Sequence, residues 1–310
     1  MKTCPRSEYR AFFLRPLRRN LWGVVLMSVA AVIGFACCQT NNHQQPTITV
    51  SIPPQSWLLS EIVGDRYIVN SLTQSTTNPE NYEPGVNDMI NLERSQAYMI
   101  IGQLPFEEAM IARAKEANDQ INIIDCSAGI KLLHGTHSPE AHHHKDKLNH
   151  NDVDPHIWTS VRNAITIAGT MAQAVAKLDP DNANEYLANY AALKAKLERL
   201  DHDISSKFDR LNCRAFIVWH PSLSYFAHDY NLKQISVEYE GKEAPVGQMR
   251  RVIDQAKDSR ARVFFYQQEM DSRQIHTINK EIGATMVTIN PMSADWEKEM
   301  RKIADALSQQ

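Results

Sequence analysis

Charge of neither sign is in excess in this chain of 310 residues. Its 33 lysines and arginines stand against 36 aspartates and glutamates, which gives no reason to expect nucleic-acid binding. Long apolar runs are also scarce. The uncharged stretch Leu21–Phe35 is too short to span a bilayer comfortably. Cysteine is sparse: beyond the N-terminal Cys4, Cys37 and Cys38 there are only Cys126 and Cys213. These two lie far apart, so an oxidising compartment permits a disulfide, and two buried free thiols fit the sequence equally well. No His-Glu-x-x-His helix of the zinc-hydrolase kind occurs, and no close repeat relates one half to the other.

Histidine, by contrast, is concentrated. His134, His137, His142, His143, His144 and His150, half of the twelve, fall in one polar stretch between Leu133 and Asp152. Neutral imidazole is the commonest protein ligand for zinc and its neighbours. Many interchangeable imidazoles without apolar periodicity can hold such metals loosely, without folding. The stretch therefore predicts an auxiliary, weak metal-binding loop over 134–151.

The N-terminus points to export. Lys2, Arg6, Arg10, Arg15, Arg18 and Arg19 precede the apolar run, and Phe35-Ala36-Cys37 follows it. A basic region, a short apolar segment and small residues before cysteine resemble a signal peptide with a bacterial lipobox over 1–36. Gly34 stands where such a box usually has leucine. Cys37 is the expected lipid acceptor and Cys38 the alternative. Residues 37–46 are polar and read as a tether that holds an otherwise soluble protein at the extracytoplasmic face of a membrane.

After the tether the chain is built twice over. Apolar, β-branched runs occur at Thr47–Ile52, Tyr67–Leu72, Ala97–Gly102 and Ile121–Asp125, then at Ala215–Trp219, Leu232–Val237, Arg262–Tyr266 and Met286–Ile289. They alternate with amphipathic segments such as Leu58–Val63, Glu107–Ala117, Pro245–Asp258 and Ser272–Ile282. This pattern predicts an α/β fold: two lobes, 47–181 and 212–310, each with a four-stranded parallel sheet covered by helices. Between them Tyr186, Tyr190, Leu193, Leu197, Leu200, Ile204, Phe208 and Leu211 recur every three or four residues. They draw an apolar stripe along a helix over 182–211. At about 1.5 Å per residue it reaches roughly 35–40 Å, long enough to join both lobes rigidly.

Two histidines outside the loop stand where chemistry is expected. His220 follows the apolar run Ala215–Trp219, and ligands of open α/β sheets bind beyond the carboxyl ends of strands. His156 lies in Asp154-Pro-His-Ile-Trp158, just before a long helical stretch. A lone histidine in such a place is more often a hydrogen-bonded structural residue than a ligand.

Five segments carry a family resemblance. Asp154–Trp158, His220-Pro-Ser-Leu-Ser-Tyr-Phe-Ala-His-Asp-Tyr230, Glu240–Pro245, Asn78-Pro-Glu-Asn-Tyr-Glu-Pro84 and Ile289–Met292 resemble, in order, signatures of one family. It is the cluster A-I solute-binding proteins of zinc and manganese ABC importers. The His-rich loop is similar to that of the zinc branch. The resemblance implies two α/β lobes joined by a rigid helix, one metal ion in the inter-lobe cleft, and delivery to a membrane permease by a monomeric, non-enzymatic receptor. The chain departs from the family at two positions. Glu80 stands where a histidine is usual, and Asn290 where an aspartate before proline is usual. A carboxylate can replace imidazole on zinc or manganese, whereas a neutral amide is a poor zinc ligand. The implied ligand set is thus Glu80, His156 and His220. A fourth position falls to water, Asn290, Glu269 or Asp295.

Three function classes follow. The first is a receptor for zinc, with manganese or iron as the alternative cargo. The second is a metal-dependent hydrolase, because two histidines and a glutamate also serve some zinc enzymes. The third is a surface protein that sequesters metal or contacts host molecules.

Overall fold

The computed structural model describes residues 45–135, 153–238, 245–267 and 272–310. Eight short strands form: β1 (Thr47–Val50), β2 (Ile68–Ser71), β3 (Ser95–Ile100), β4 (Asn122–Asp125), β5 (Ala215–Val218), β6 (Lys233–Ser236), β7 (Val263–Tyr266) and β8 (Thr285–Thr288). They make two four-stranded sheets, ordered β2-β1-β3-β4 and β6-β5-β7-β8, with every pairing parallel. The duplication expected from pattern is therefore a duplication of topology. In each sheet the strand order reverses beside the first strand, and the crevice for a ligand opens there, beyond the carboxyl ends.

Parallel sheets need both faces covered, and the second sheet makes the division plain. Phe216, Val218 and Phe265 pack into the large core that runs through both lobes, while Ala215, Ile217 and Phe264 face a smaller core of their own. Successive side chains of a strand point to opposite faces, so this alternation follows directly from the pleat. The helices are α1 (Pro53–Val63), α2 (Val86–Glu93), α3 (Pro105–Ala117), α4 (Val161–Leu178), α5 (Ala183–Phe208), α6 (Ser224–Asp229), α7 (Val246–Asp258), α8 (Ser272–Ile282) and α9 (Trp296–Ser308).

The long helix α5 is the expected connection between the lobes. Its stripe residues Tyr186, Leu193, Leu197, Leu200, Ile204 and Phe208 are buried, against α4 along its length and against α1 and α9. At roughly 1.5–3 kcal/mol per buried side chain, peeling this stripe away would cost on the order of 10 kcal/mol or more. Gly169 allows the close approach of α4, since a Cβ there would meet the Tyr190 hydroxyl at 2.9 Å. Leu211 lies beyond the helix end. The chain turns after Phe208, where the Leu211 N–H returns to the Phe208 carbonyl and Arg214 donates to that same carbonyl. At the other end the Asp179 carboxylate accepts the Tyr186 hydroxyl and the Asn182 side-chain amide.

Two indoles interlock the lobes near the crevice. Trp158 Nε1 donates to the Pro291 carbonyl at 2.9 Å, and Trp296 Nε1 donates to the Trp158 carbonyl at 2.9 Å. Trp296, at the start of α9, also packs on Trp57 of α1, with ring centroids 5.6 Å apart. The last helix thus belongs to the core beneath the spine rather than to the second sheet alone. Among the described residues no helix is long and apolar enough to cross a membrane.

Candidate metal centre

Three segments converge at the crevice. His220 stands two residues past β5. His156 precedes the single helical turn Ile157–Thr159, which leads into α4. Glu80 sits in the turn Pro79–Asn81 beyond β2, where the Asn78 side chain accepts the Glu80 N–H at 2.9 Å and closes a local cap. The first lobe supplies His156 and Glu80, and the second supplies His220.

Their ligand atoms gather within 4.8 Å of one another, the one such group of three among the described residues. His156 Nε2 and His220 Nε2 are 3.2 Å apart. One Glu80 oxygen lies 3.7 Å from His156 Nε2, and the other lies 3.7 Å from His220 Nε2. Around tetrahedral zinc, with bonds of about 2.0–2.2 Å, neighbouring donors stand about 3.3–3.5 Å apart. The imidazole pair is thus close to one edge of that tetrahedron, and the Glu80 carboxylate straddles the pair with one oxygen toward each ring. Both imidazoles are buried, while the Glu80 side chain keeps 24% exposure.

Each histidine is oriented from behind. His156 Nδ1 lies 2.9 Å from Asp154 Oδ1, which also accepts the His156 backbone N–H. His220 Nδ1 lies 2.8 Å from Glu238 Oε2. A carboxylate at Nδ1 fixes the tautomer that leaves the Nε2 lone pair for a metal and raises the ligand's basicity. Burial opposes charge on Asp154, but the hydrogen bond and charge of His156 more than offset it and hold that carboxyl below the usual range. Burial likewise opposes protonation of His156, yet Asp154, Glu80 and Glu238 outweigh it and push the imidazole above its ordinary value.

Both histidines open onto a cavity of about 130 Å³, which Ser222, Gln267 and Asn290 also line. That is room for an ion with several waters. Two of the Asn290 polar atoms have protein partners. Its Oδ1 accepts the Met292 N–H, and its own N–H is donated to Glu299. Asp295 is elsewhere: it precedes α9, is exposed, and pairs loosely with Lys298 at 3.9 Å. His134 lies at the foot of the His-rich loop, bridged to Val153. His137, His142, His143, His144, His150, Glu269, Cys37 and Cys38 lie outside the described residues.

Sequence reasoning missed the roles of Asp154 and Glu238. The first had a signal in Asp-Pro-His, where the carboxylate stands two residues before the imidazole. The second follows β6 beside β5, at the same height as His220 in the parallel register.

A family model described as zinc-uptake complex component A, periplasmic, matches residues 48–310. The chain belongs to the ZnuA family. This is a family of metal-binding periplasmic solute receptors. A crystal structure of ZnuA is 37% identical, covering 86% of this chain and 99% of its own, with a TM-score of 0.78. FpvC of Pseudomonas aeruginosa, a solute-binding protein solved with Mn²⁺, is 26% identical over 86% of this chain and 98% of its own, with a TM-score of 0.71. The zinc-binding lipoprotein AdcA of Streptococcus pneumoniae is 22% identical over 90% of this chain, which spans 56% of that relative's length. Zinc-binding relatives and a manganese-bound neighbour thus surround a chain that itself holds a candidate metal site.

Proposed function

We propose that this protein is an extracytoplasmic receptor, lipid-anchored through Cys37, that captures zinc in the crevice and delivers it to the permease of an ABC importer. The observation that carries this reading is the cluster of Glu80, His156 and His220, in which the two Nε2 atoms stand near the donor spacing of a tetrahedral zinc site and a Glu80 oxygen faces each ring. Two imidazoles favour zinc over harder ions. The AdcA likeness supports both the cargo and the anchor.

Glu80 and the manganese-bound FpvC neighbour support a second cargo, since a carboxylate suits manganese better than a third imidazole would. Asn290 lines the same cavity and is the candidate for a weak fourth contact, with water as the alternative. A hydrolytic role has less support. The carboxylates next to the histidines, Asp154 and Glu238, are both engaged at Nδ1 and are not free to act as a general base. We assign the loop histidines, His134 to His150, to weaker auxiliary sites. The assignment rests on composition, since many imidazoles in a polar stretch without apolar periodicity hold such metals loosely.

Elemental analysis of protein purified without chelator, followed by zinc–manganese competition, tests the cargo. One equivalent of zinc that manganese does not displace is the expected result. Zinc uptake by cells lacking the chain tests delivery: uptake equal to that of the parent strain would contradict it. Activity of metal-loaded protein on chromogenic esters would favour the hydrolase instead.

A further inference from the structure

The candidate ligands His156 and His220 come from different lobes, so their spacing depends on what joins the lobes beside them. The segment that carries His156, residues 154–160, is gripped at both ends by α6 of the second lobe. At its start the Tyr225 hydroxyl donates to the Asp154 carbonyl at 2.9 Å and accepts the Leu133 N–H at 3.0 Å. At its end the Ser160 hydroxyl donates to Asp229 Oδ2 at 2.5 Å. Helix α6 begins four residues after His220, with only Pro221, Ser222 and Leu223 between them.

The bonds of Tyr225 are placed to matter. Its ring is buried, and its hydroxyl uses one donor and one acceptor role on two backbone groups. Asp154, whose carbonyl it holds, is the residue whose carboxylate orients His156. Leu133, whose N–H it receives, is paired through its carbonyl to the Asp154 N–H at 2.9 Å. Tyr225 therefore fixes the backbone from which the His156 orienting carboxylate projects, and it does so from the helix that follows His220.

We propose that α6 is a bracket that carries His156 and His220 as one preorganised pair, with the Tyr225 hydroxyl as its principal positioning group. The proposal rests on the metal-receptor reading above. In a site whose ligands are held by their neighbours, loss of an orienting partner commonly costs 10–100-fold in metal affinity. A group one bond further out belongs at the lower end of that range, and the cost falls on how long the ion stays.

The test compares the parent protein with Tyr225→Phe, which keeps the buried ring and removes the hydroxyl. Tyr190→Phe is the control, because its hydroxyl bonds only the Ile165 carbonyl, at 3.5 Å, away from the crevice. Zinc dissociation is followed by transfer to a chromophoric chelator, and site geometry by the visible absorption of the Co²⁺ form. Tyr225→Phe should release zinc about ten-fold faster, with an altered cobalt spectrum, while Tyr190→Phe matches the parent in both. Should Tyr225→Phe fail to fold, Ser160→Ala opens the other end of the bracket and should show the same two changes, with Ser160→Thr restoring the parent's values. A lower melting temperature with parental zinc release and cobalt spectrum would overturn the bracket and leave the receptor reading intact. A parent that takes up neither Co²⁺ nor zinc in the crevice would overturn both.

Discussion

His156 and His220 stand 64 residues apart in the chain and in different lobes, yet their Nε2 atoms face each other at 3.2 Å. That separation is close to the edge of a tetrahedral zinc site, about 3.3–3.5 Å. Glu80 closes the triangle from the more exposed side.

Replacing either histidine by alanine should therefore weaken zinc binding by more than the roughly 10–100-fold typical of an orienting partner. Glu80→Ala should weaken it as well. Glu80→His should restore zinc affinity and lower manganese affinity, because imidazole suits zinc and carboxylate suits manganese. Calorimetric titration with each ion checks all four variants. Replacement of the exposed His202, His228 or His276 should leave affinity unchanged.

Asp154→Asn and Glu238→Gln should each cost roughly 10–100-fold in zinc affinity, although neither side chain belongs to the three-ligand group. Each amide keeps the shape but removes the charge that raises imidazole basicity. A displacement assay that returned the parent's affinity for both variants would show that the pairs at Nδ1 are structural only.

Zinc and protons compete for the same imidazoles. The pKa of His156 is raised in this structure, so its proton begins to interfere at a higher pH than for an ordinary histidine. Affinity should be constant in the alkaline range and fall as pH drops through that raised value. Asp154→Asn removes the main group holding it up, and the onset should move to lower pH. In the metal-free fold the contribution of His156 follows the opposite dependence and that of Asp154 does not. Stability from protonated His156 is fully present below the ordinary histidine pKa and lost as pH rises through the raised one. Stability from ionised Asp154 is present above the ordinary carboxyl pKa and lost as pH falls through the lowered one. Titrations across a pH series, with and without zinc, read both effects.

Helix α5 spans 26 residues, about 39 Å at 1.5 Å per residue. Its buried stripe and the Trp158–Pro291 and Trp296–Trp158 hydrogen bonds tie the lobes together. Zinc binding should produce small tilts and local rearrangement rather than wide hinge closure. Small-angle scattering of the metal-free and zinc-loaded forms should give nearly equal radii of gyration. A marked compaction would mean that the spine does not resist bending.

Much of this was legible in the sequence because the signals were periodic. All eight strands were read from β-branched runs, and α5 from its stripe. Its expected end at Leu211 overshot because the spacing of apolar residues continues past the turn at Phe208. The helices α2, α6 and α9 carried no reading, and nothing local reveals that Trp296 packs under the spine on Trp57. At the site, His156, His220 and Glu80 were found through motifs, whereas Glu238 depends on which strand lies beside β5. Strand order is a long-range property, so a residue that acts across strands is invisible until the sheet is assembled. Asp295 was an apparent candidate only because it is an acid near Asn290, and the start of α9 carries it outward.

One ion held between the lobes by Glu80, His156 and His220 is the core of the proposed function. Anomalous diffraction from zinc-loaded crystals, measured on both sides of the zinc absorption edge, addresses this directly. One strong peak is expected about 2.0–2.2 Å from His156 Nε2, His220 Nε2 and a Glu80 oxygen. A strong peak elsewhere, with none inside that triangle, would contradict it.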